Sequence, residues 1–210
     1  MSTTLKEKAY EKLKRMILQK DTLPGEYLTE RALVEQLEMS RTPIRSALER
    51  LEAEGLVSYT PNKGLIVSEL SIQKAVDCYD IRVALETHLV RKISSRVWTD
   101  EEARWFKDNL TEQLASVNKN DYAGFTKTDS SFHLQLARIY GNTEVIQTME
   151  NLQDKMFRIA MDVLRKDAAR IRVSYQDHLD IFECITLGKA EEAASAVARH
   201  LDYGRKILIE

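Results

Sequence analysis

In the first 70 residues, apolar side chains recur three or four positions apart, the spacing that places them on one face of an α-helix. Three such runs predict three amphipathic helices, the first over residues 4–20. The apolar positions are Leu5, Ala9, Leu13, Met16 and Ile17 in the first helix, Ala32, Leu33 and Leu37 in the second, and Ile44, Ala47, Leu48 and Leu51 in the third. Thr29 is expected to cap the second helix and Ser40 the third, where Pro43 suits the first turn.

After Gly55 the apolar period changes to two, which is typical of a β-strand. Residues 56–60 and 65–68 are predicted to pair as a hairpin across a turn at residues 61–64. Three helices followed by such a hairpin form a winged helix-turn-helix.

The rest of the chain is free to be mostly helical, because all three prolines lie in the first 61 residues. The predicted helices are residues 71–97, 100–118, 122–140, 143–165, 168–187 and 189–209. Thr99 begins a capping-box sequence, Gly141 and Gly188 mark helix ends, and Asp167 is expected to cap the fifth of these helices. The fold class is therefore mostly α, with a winged helix-turn-helix domain at residues 1–70 and an antiparallel all-α bundle at residues 71–210.

The 210 residues carry 31 basic and 33 acidic side chains, for a formal net charge of -2. This balance excludes a protein held to nucleic acid or membrane by its total charge, so such binding requires a local patch. Cys78 and Cys184 lie far apart and are expected to be buried small hydrophobic residues. The charged N-terminus is unlike a signal peptide, and no apolar run reaches the roughly 18 residues of a membrane span, so we expect a cytoplasmic protein.

The predicted third helix has a cationic, hydroxyl-bearing face, because its buried stripe turns Arg41, Thr42 and Arg45 outward. The second helix of a helix-turn-helix enters the major groove with its N-terminal residues foremost, and arginine there binds guanine O6 and N7 through two hydrogen bonds. Lys63 and Gly64, at the predicted wing tip, are placed to approach the DNA backbone or minor groove. A charged helix face alone is usually only solvated surface, but the complete motif favours DNA binding.

These residues resemble the DNA-binding domain of the GntR family of bacterial transcription regulators. The matching stretches are residues 30–33 (ERAL), 40–51 (SRTPIRSALERL), 55–57 (GLV) and 62–64 (NKG). The resemblance implies operator contacts or support for them by Arg31, Ser40, Arg41, Thr42, Arg45 and Gly64.

Three histidines and one aspartate fall at positions that bring them together in the bundle. Asp129 and His133 are four residues, or about one helical turn, apart. If the last two helices turn at Gly188, then His178, ten residues before it, and His200, twelve after it, lie at nearly the same height. A single histidine of this kind is more often a hydrogen-bonded core residue. The four groups together suit a borderline divalent ion such as Zn, Ni or Mn.

The second half also resembles the effector-binding FCD domain of the FadR-type branch of GntR regulators, and its six helices resemble the VanR-type subgroup. The matching stretches are residues 80–86 (DIRVALE), 129–133 (DSSFH) and 178–181 (HLDI), with Gly188 and His200. The resemblance implies a metal on Asp129, His133, His178 and His200, and a small carboxylate effector beside it. Among the divalent ions that suit these ligands, we expect Zn in preference to Ni or Mn. Arg82 is the best candidate to pair with that carboxylate; a salt bridge to Glu86 is the equal alternative.

The sequence thus predicts a repressor that binds a palindromic double-stranded DNA operator as a homodimer, responds to a small carboxylate, and has no membrane partner. A metal sensor, in which the ion itself is the effector, would use the same ligands and stays open. A metalloenzyme would need a general base and an open coordination position. The chain contains neither a His-Glu-x-x-His pair nor a second carboxylate at suitable spacing, so we expect no enzymatic activity.

Overall fold

The computed structural model describes residues 4–19, 25–60, 64–69 and 71–209, and for Gln19 only the backbone. The chain divides into two compact units, Met1–Glu69 and Leu70–Glu210. Each unit has a hydrophobic core of its own.

The first unit is a winged helix-turn-helix, as the sequence predicts. Its described residues form three helices and a three-stranded antiparallel sheet in which β3 lies between β1 and β2. The elements are α1 (Leu5–Gln19), β1 (Tyr27–Leu28), α2 (Glu30–Leu37), α3 (Arg41–Ala53), β2 (Val57–Thr60) and β3 (Gly64–Val67). The predicted hairpin is β2 and β3, with Val57 opposite Val67 and Thr60 opposite Gly64. Its turn, at residues 61–63, lies outside the described residues.

The core of this unit lies where α1 and α3 pack together, with Leu13, Ile17, Ile44 and Leu51 almost fully buried. Burying a side chain of this size contributes roughly 1.5–3 kcal/mol.

Two predicted core positions of this unit are wrong. Leu5 begins α1 beyond the edge of the core and is 62% exposed. Ala32 is exposed because the buried face of α2 runs through Leu33 and Leu37. Tyr10 is 3% exposed and belongs to the core instead.

Residues 71–209 form six α-helices, close to the predicted bounds. They are α4 (Ile72–Ser94), α5 (Asp100–Lys119), α6 (Tyr122–Tyr140), α7 (Thr143–Lys166), α8 (Arg170–Thr186) and α9 (Ala190–Ile209). The capping box at Thr99 is present, and Gly141 ends α6 in the left-handed region that suits glycine. The expected cap of α8 by Asp167 is wrong: Ala169 is the N-cap, and Asp167 ends α7 while accepting a hydrogen bond from the Ala169 amide at 3.0 Å.

Aromatic rings fill the centre of this bundle. Phe106 stacks on Phe182 with centroids 5.2 Å apart and meets Phe132 edge to face at 5.1 Å. Cys78 is buried as predicted, whereas Cys184 is only half-buried. In the described part of the chain, no helix combines the length and the apolar character needed to cross a membrane.

Candidate functional site

The N-terminal turn of α3 is open to solvent. Ser40 is its N-cap, but within the described residues its side chain makes no capping hydrogen bond, so the expected cap is present in backbone position only. Arg41, Thr42 and Arg45 are exposed, and Pro43 is buried beneath them. Helix N-termini and basic side chains both favour phosphate, so this end of α3 has the chemistry of a DNA-contact surface.

Lys6 of α1 adds a cation to this surface. With Arg41, Thr42, Arg45, Ser46 and Glu49 it lines a concave region on the outside of the unit. Lys6 was not among the predicted DNA contacts, although α1 also carries Lys8, Lys12, Lys14 and Arg15, so its basic character was a signal for it. We call these residues, Lys6, Arg41, Thr42, Arg45, Ser46 and Glu49, the candidate DNA-contact surface.

Two other predicted DNA contacts, Arg31 and Gly64, are described by the structure but do not line this concave region. Arg31 is exposed on α2 and pairs with Glu35 at 3.3 Å. Gly64 begins β3 at φ 87°, a conformation that favours glycine. Lys63 lies outside the described residues.

In the helical unit, the predicted metal ligands come together. Asp129 and His133 on α6, His178 on α8 and His200 on α9 each offer one ligand atom, and these atoms all lie within 4.8 Å of one another. The Nε2 atoms of His133 and His178 are 3.2 Å apart, and Asp129 Oδ1 is 3.4 Å from His178 Nε2. The three histidines are buried. We call these four residues the aspartate-histidine cluster.

Glu86 of α4 orients His133. Its Oε2 lies 2.5 Å from His133 Nδ1, and its Oε1 accepts from Arg82 Nε at 2.5 Å. Burial alone would raise the pKa of Glu86, but the charges of Arg82 and His133 hold it at about 2. As an ionised carboxylate can only accept, Nδ1 of His133 must carry a hydrogen, and in the neutral ring Nε2 keeps a lone pair.

A chain of buried amides orients His178. The Thr128 carbonyl accepts from Asn109 Nδ2 at 3.0 Å, Asn109 Oδ1 accepts from Gln113 Nε2 at 2.7 Å, and Gln113 Oε1 lies 2.7 Å from His178 Nδ1. Because a carbonyl cannot donate, each amide in the chain has only one workable orientation. Nδ1 of His178 is therefore also a donor, and its Nε2 also keeps a lone pair.

His200 has a carboxylate at the same ring position. Its Nδ1 lies 3.0 Å from Asp177 Oδ2 and 3.1 Å from Arg170 Nη2, and the tautomer that donates to Asp177 has its Nε2 lone pair available. Arg170 is packed beside this pair, with Nη2 donating to the His200 carbonyl at 2.9 Å and Nη1 3.0 Å from Asp177 Oδ2. Metal-binding histidines typically have such a partner on the nitrogen that does not bind the ion.

Two histidines of the cluster, His178 and His200, are held in the neutral form. Burial, reinforced by neighbouring positive groups, lowers the pKa of His178 and that of His200 well below their usual value. In the neutral form of His133, its Nε2 lone pair faces that of His178 at 3.2 Å, an arrangement that is repulsive without a cation between them. For bonds of about 2.0–2.1 Å, neighbouring ligands of a tetrahedral ion are about 3.3 Å apart, close to both short distances in the cluster. The residues fit a divalent ion.

A cavity opens beside the cluster. Asp129, Arg82, Arg170 and His200 line it together with apolar side chains of α7, and its volume, taken as the space open to the centre of a water molecule, is about 40 Å³. At roughly 10–15 Å³ for each water, this holds about three waters. Among the described residues, two buried side-chain atoms have no hydrogen-bond partner, Arg82 Nη2 and Arg170 Nη1, and both belong to residues that line this cavity. Arg82 thus makes the predicted bond to Glu86 and still offers a donor.

Four residues that hold the histidines were not anticipated: Glu86 as the partner of His133, Gln113, Asn109 and Asp177. Each acts across a helix interface, and sequence spacing alone does not identify such partners. The signal in the sequence was two amide side chains, Asn109 and Gln113, four residues apart and so on one face of α5. The fourth histidine, His88, is exposed and lies 3.3 Å from the Tyr140 hydroxyl, outside the cluster.

Known proteins match both units. The model of "Bacterial regulatory proteins, gntR family" matches residues 5–67, and that of "FCD domain" matches residues 77–203. The Nta operon transcriptional regulator of Aminobacter aminovorans is 34% identical over 85% of this chain and 82% of its own length. The HTH-type transcriptional repressor RspR of Escherichia coli K12 is 26% identical over 93% of this chain and 85% of its own length. The solved structure of E. coli McbR/YncC has a TM-score of 0.80 at 21% identity, covering 99% of this chain and 98% of that one, so this likeness concerns the fold.

Proposed function

This chain belongs to the gntR family of bacterial regulatory proteins and carries an FCD domain, so it is a DNA-binding transcription regulator, and we propose that it is a repressor controlled by a small carboxylate. Its relatives are named transcriptional regulators rather than enzymes, and repressors are among them. The proposal places the DNA-binding domain at residues 1–70 and the effector, metal and dimerisation domain at residues 71–210.

The aspartate-histidine cluster would hold one divalent ion, Zn in preference to Ni or Mn. The observation that carries this proposal is the 3.2 Å distance between the Nε2 atoms of His133 and His178, on rings whose orientation Glu86 and Gln113 determine. When bound, the ion supplies a Lewis-acidic centre for an anionic oxygen. Burial raises the pKa of Asp129, and a divalent charge beside it would reverse that effect.

The effector would bind in the cavity beside the cluster. Arg82 is held by Glu86 through Nε, and its buried, unpartnered Nη2 is a donor for a carboxylate oxygen. A cavity that holds about three waters favours a compact acid over a long one. The free Arg82 donor favours this regulator over one in which the metal ion alone is the effector.

At the DNA, α3 would enter the major groove of each half-site. Arg41 and Arg45 would reach base edges or phosphates, with Ser40 and Thr42 supporting them and Arg31 contacting the backbone. Lys63 and Gly64 would act from the wing. A homodimer would place its two α3 helices about one helical turn of DNA apart, near 34 Å, on a palindromic operator. Effector binding would change the packing of the bundle and, through the segment at residues 69–72, this spacing.

The test titrates effector and metal separately against binding of the full-length protein to DNA from the promoter region next to its gene. We expect the Zn-loaded protein to bind, and one of a size-graded set of acids (acetate, lactate, succinate, citrate) to change the affinity. Arg82→Lys, which keeps the charge beside Glu86 but loses the planar fork, should lose the acid response and retain the metal. Arg138→Lys, at an exposed ion pair, is the matched control.

Two results would contradict parts of this proposal. If adding the metal alone switches DNA binding and no acid changes it, the protein is a metal sensor. If Arg82→Lys responds to the acid as the wild type does, the carboxylate does not bind at Arg82.

A further inference from the structure

Arg45, on the candidate DNA-contact surface, is held by a carboxylate of the preceding helix. Its Nε donates to Glu30 Oε1 at 3.0 Å, and its Nη2 donates to Glu30 Oε2 at 3.1 Å. The two residues are 15 positions apart, so this two-bond pair connects α2 with α3. The Arg31–Glu35 pair differs, since it is a single bond within α2.

The position of Glu30 is set by the fold. It is the first residue of α2, directly after the N-cap Thr29, whose hydroxyl accepts from the Ala32 amide at 3.3 Å. Leu33 and Leu37 bury α2 in the core that α3 shares. The Glu30 carboxylate therefore has a fixed location relative to the N-terminal turn of α3.

The geometry of this pair determines which edge of Arg45 stays available. A guanidinium has five N–H donors in one plane, and Glu30 takes the two on the Nε/Nη2 side. The terminal Nη1/Nη2 edge keeps two parallel donors, the arrangement that binds guanine O6 and N7 together. We infer that Glu30 is a positioning residue that sets base specificity by presenting the terminal edge of Arg45 to the major groove.

Two further observations agree with this role, which rests on the proposed reading of DNA by α3. The hydrogen bond from Arg45 lowers the pKa of Glu30, so the carboxylate remains charged when the protein is at neutral pH. A negative charge at this point repels phosphate and so directs Arg45 away from the backbone and towards a base edge. The pair is solvent-exposed, 63% for Arg45 and 36% for Glu30, so its role is orientation rather than stability.

The test is selection of bound duplexes from a randomised DNA pool by full-length protein, followed by affinity measurements on single-base variants of the selected site. The proteins are wild type, Arg45→Ala, Glu30→Gln and Glu30→Asp. Glu11→Gln, which removes one charge from the exposed surface of α1, is the matched control. Far-UV circular dichroism checks that each variant is folded.

We expect wild type to select a guanine in each half-site that Arg45→Ala no longer prefers. Glu30→Gln should lose discrimination at that base pair by on the order of 10-fold and at no other, while its affinity for random DNA stays equal or rises. Glu30→Asp, whose carboxylate is one methylene shorter, should also lose discrimination there. A merely structural role would instead lower affinity for every sequence.

If Glu30→Gln keeps the wild-type preference at the base pair where Arg45→Ala has lost it, the inference about Glu30 is wrong. The proposed DNA reading by Arg45 is not contradicted by that result. If Arg45→Ala changes preference at no base, the proposed DNA reading by Arg45 fails and this inference fails with it. An equal change in Glu11→Gln would show a general charge effect and would also overturn it.

Discussion

The buried Arg82–Glu86 pair makes a quantitative prediction about stability. The side chains are 7% and 0% exposed, and Glu86 also holds His133. Replacing Glu86 with Leu leaves the Arg82 charge buried without its partner, which costs about 3–5 kcal/mol. Replacing Arg82 with Met should cost less, about 1–3 kcal/mol, because it also removes the unpartnered Nη2 and leaves Glu86 its bond to His133.

The double variant should lose less unfolding free energy than the two single variants lose together, because no charge of the pair then remains buried. We expect it to lose about 1–2 kcal/mol, so the coupling between the two sites is at least about 2 kcal/mol. The assay is urea unfolding of chelator-treated protein. Trp98 and Trp105 are the only tryptophans, so their fluorescence reports on the helical unit by itself.

The exposed Arg138–Glu150 pair, with side chains 52% and 46% exposed, is the matched control. Arg138→Met and Glu150→Leu should each change the free energy of unfolding by no more than about 0.5 kcal/mol, and the double variant should show the sum of the two changes. Additive losses at Arg82 and Glu86 would refute the assignment of this pair as a mutually compensating buried ion pair.

Three further predictions concern pH, capping and backbone strain. Burial holds the folded-state pKa values of His178 and His200 below the unfolded value of about 6.5, so the unfolded chain binds more protons at these two groups. Metal-free protein should therefore lose stability in urea unfolding as the pH falls from 7.5 to 5.5, by on the order of 1 kcal/mol for each histidine, and a flat profile would contradict this. Thr99→Ala should lower the free energy of unfolding by about 1 kcal/mol in the same assay, whereas Thr99→Ser should not. Equal losses in the two variants would contradict the capping role of the Thr99 hydroxyl. Glu38 ends α2 at φ 54°, so Glu38→Gly should stabilise the first unit by about 0.5–1 kcal/mol and slow hydrogen exchange in α2 and α3; faster exchange would contradict it.

The sequence predicted the helices of this protein well because their ends carry local signals. Thr99 and Gly141 act within one turn of themselves, so a single sequence contains all the information about those ends. The strand at residues 27–28 was missed because two residues are too short to show a period. Asp167 was misassigned because an aspartate beside a helix start can bond to an amide before the helix without being its N-cap.

In the candidate metal site, the ligands could be predicted from the sequence, but the residues that orient them could not. Asp129 and His133 are one turn apart on α6, and His178 and His200 flank the turn at Gly188, so spacing was enough to propose the four ligands. Glu86 and Gln113 bond to the far side of His133 and His178 from other helices. Those contacts depend on how α4 and α5 rotate about their axes in the bundle, which spacing along one helix does not determine.

The metal content of the purified full-length protein, measured by elemental analysis after equilibration with Zn, Ni and Mn followed by desalting, tests the central claim most directly. We predict about one divalent ion per chain in the wild type and none in the folded double variant His178→Ala, His200→Ala, while His88→Ala, the exposed control, keeps its ion. A wild type without a bound divalent ion, or a double variant that retains a full equivalent, would contradict the aspartate-histidine cluster as the metal centre.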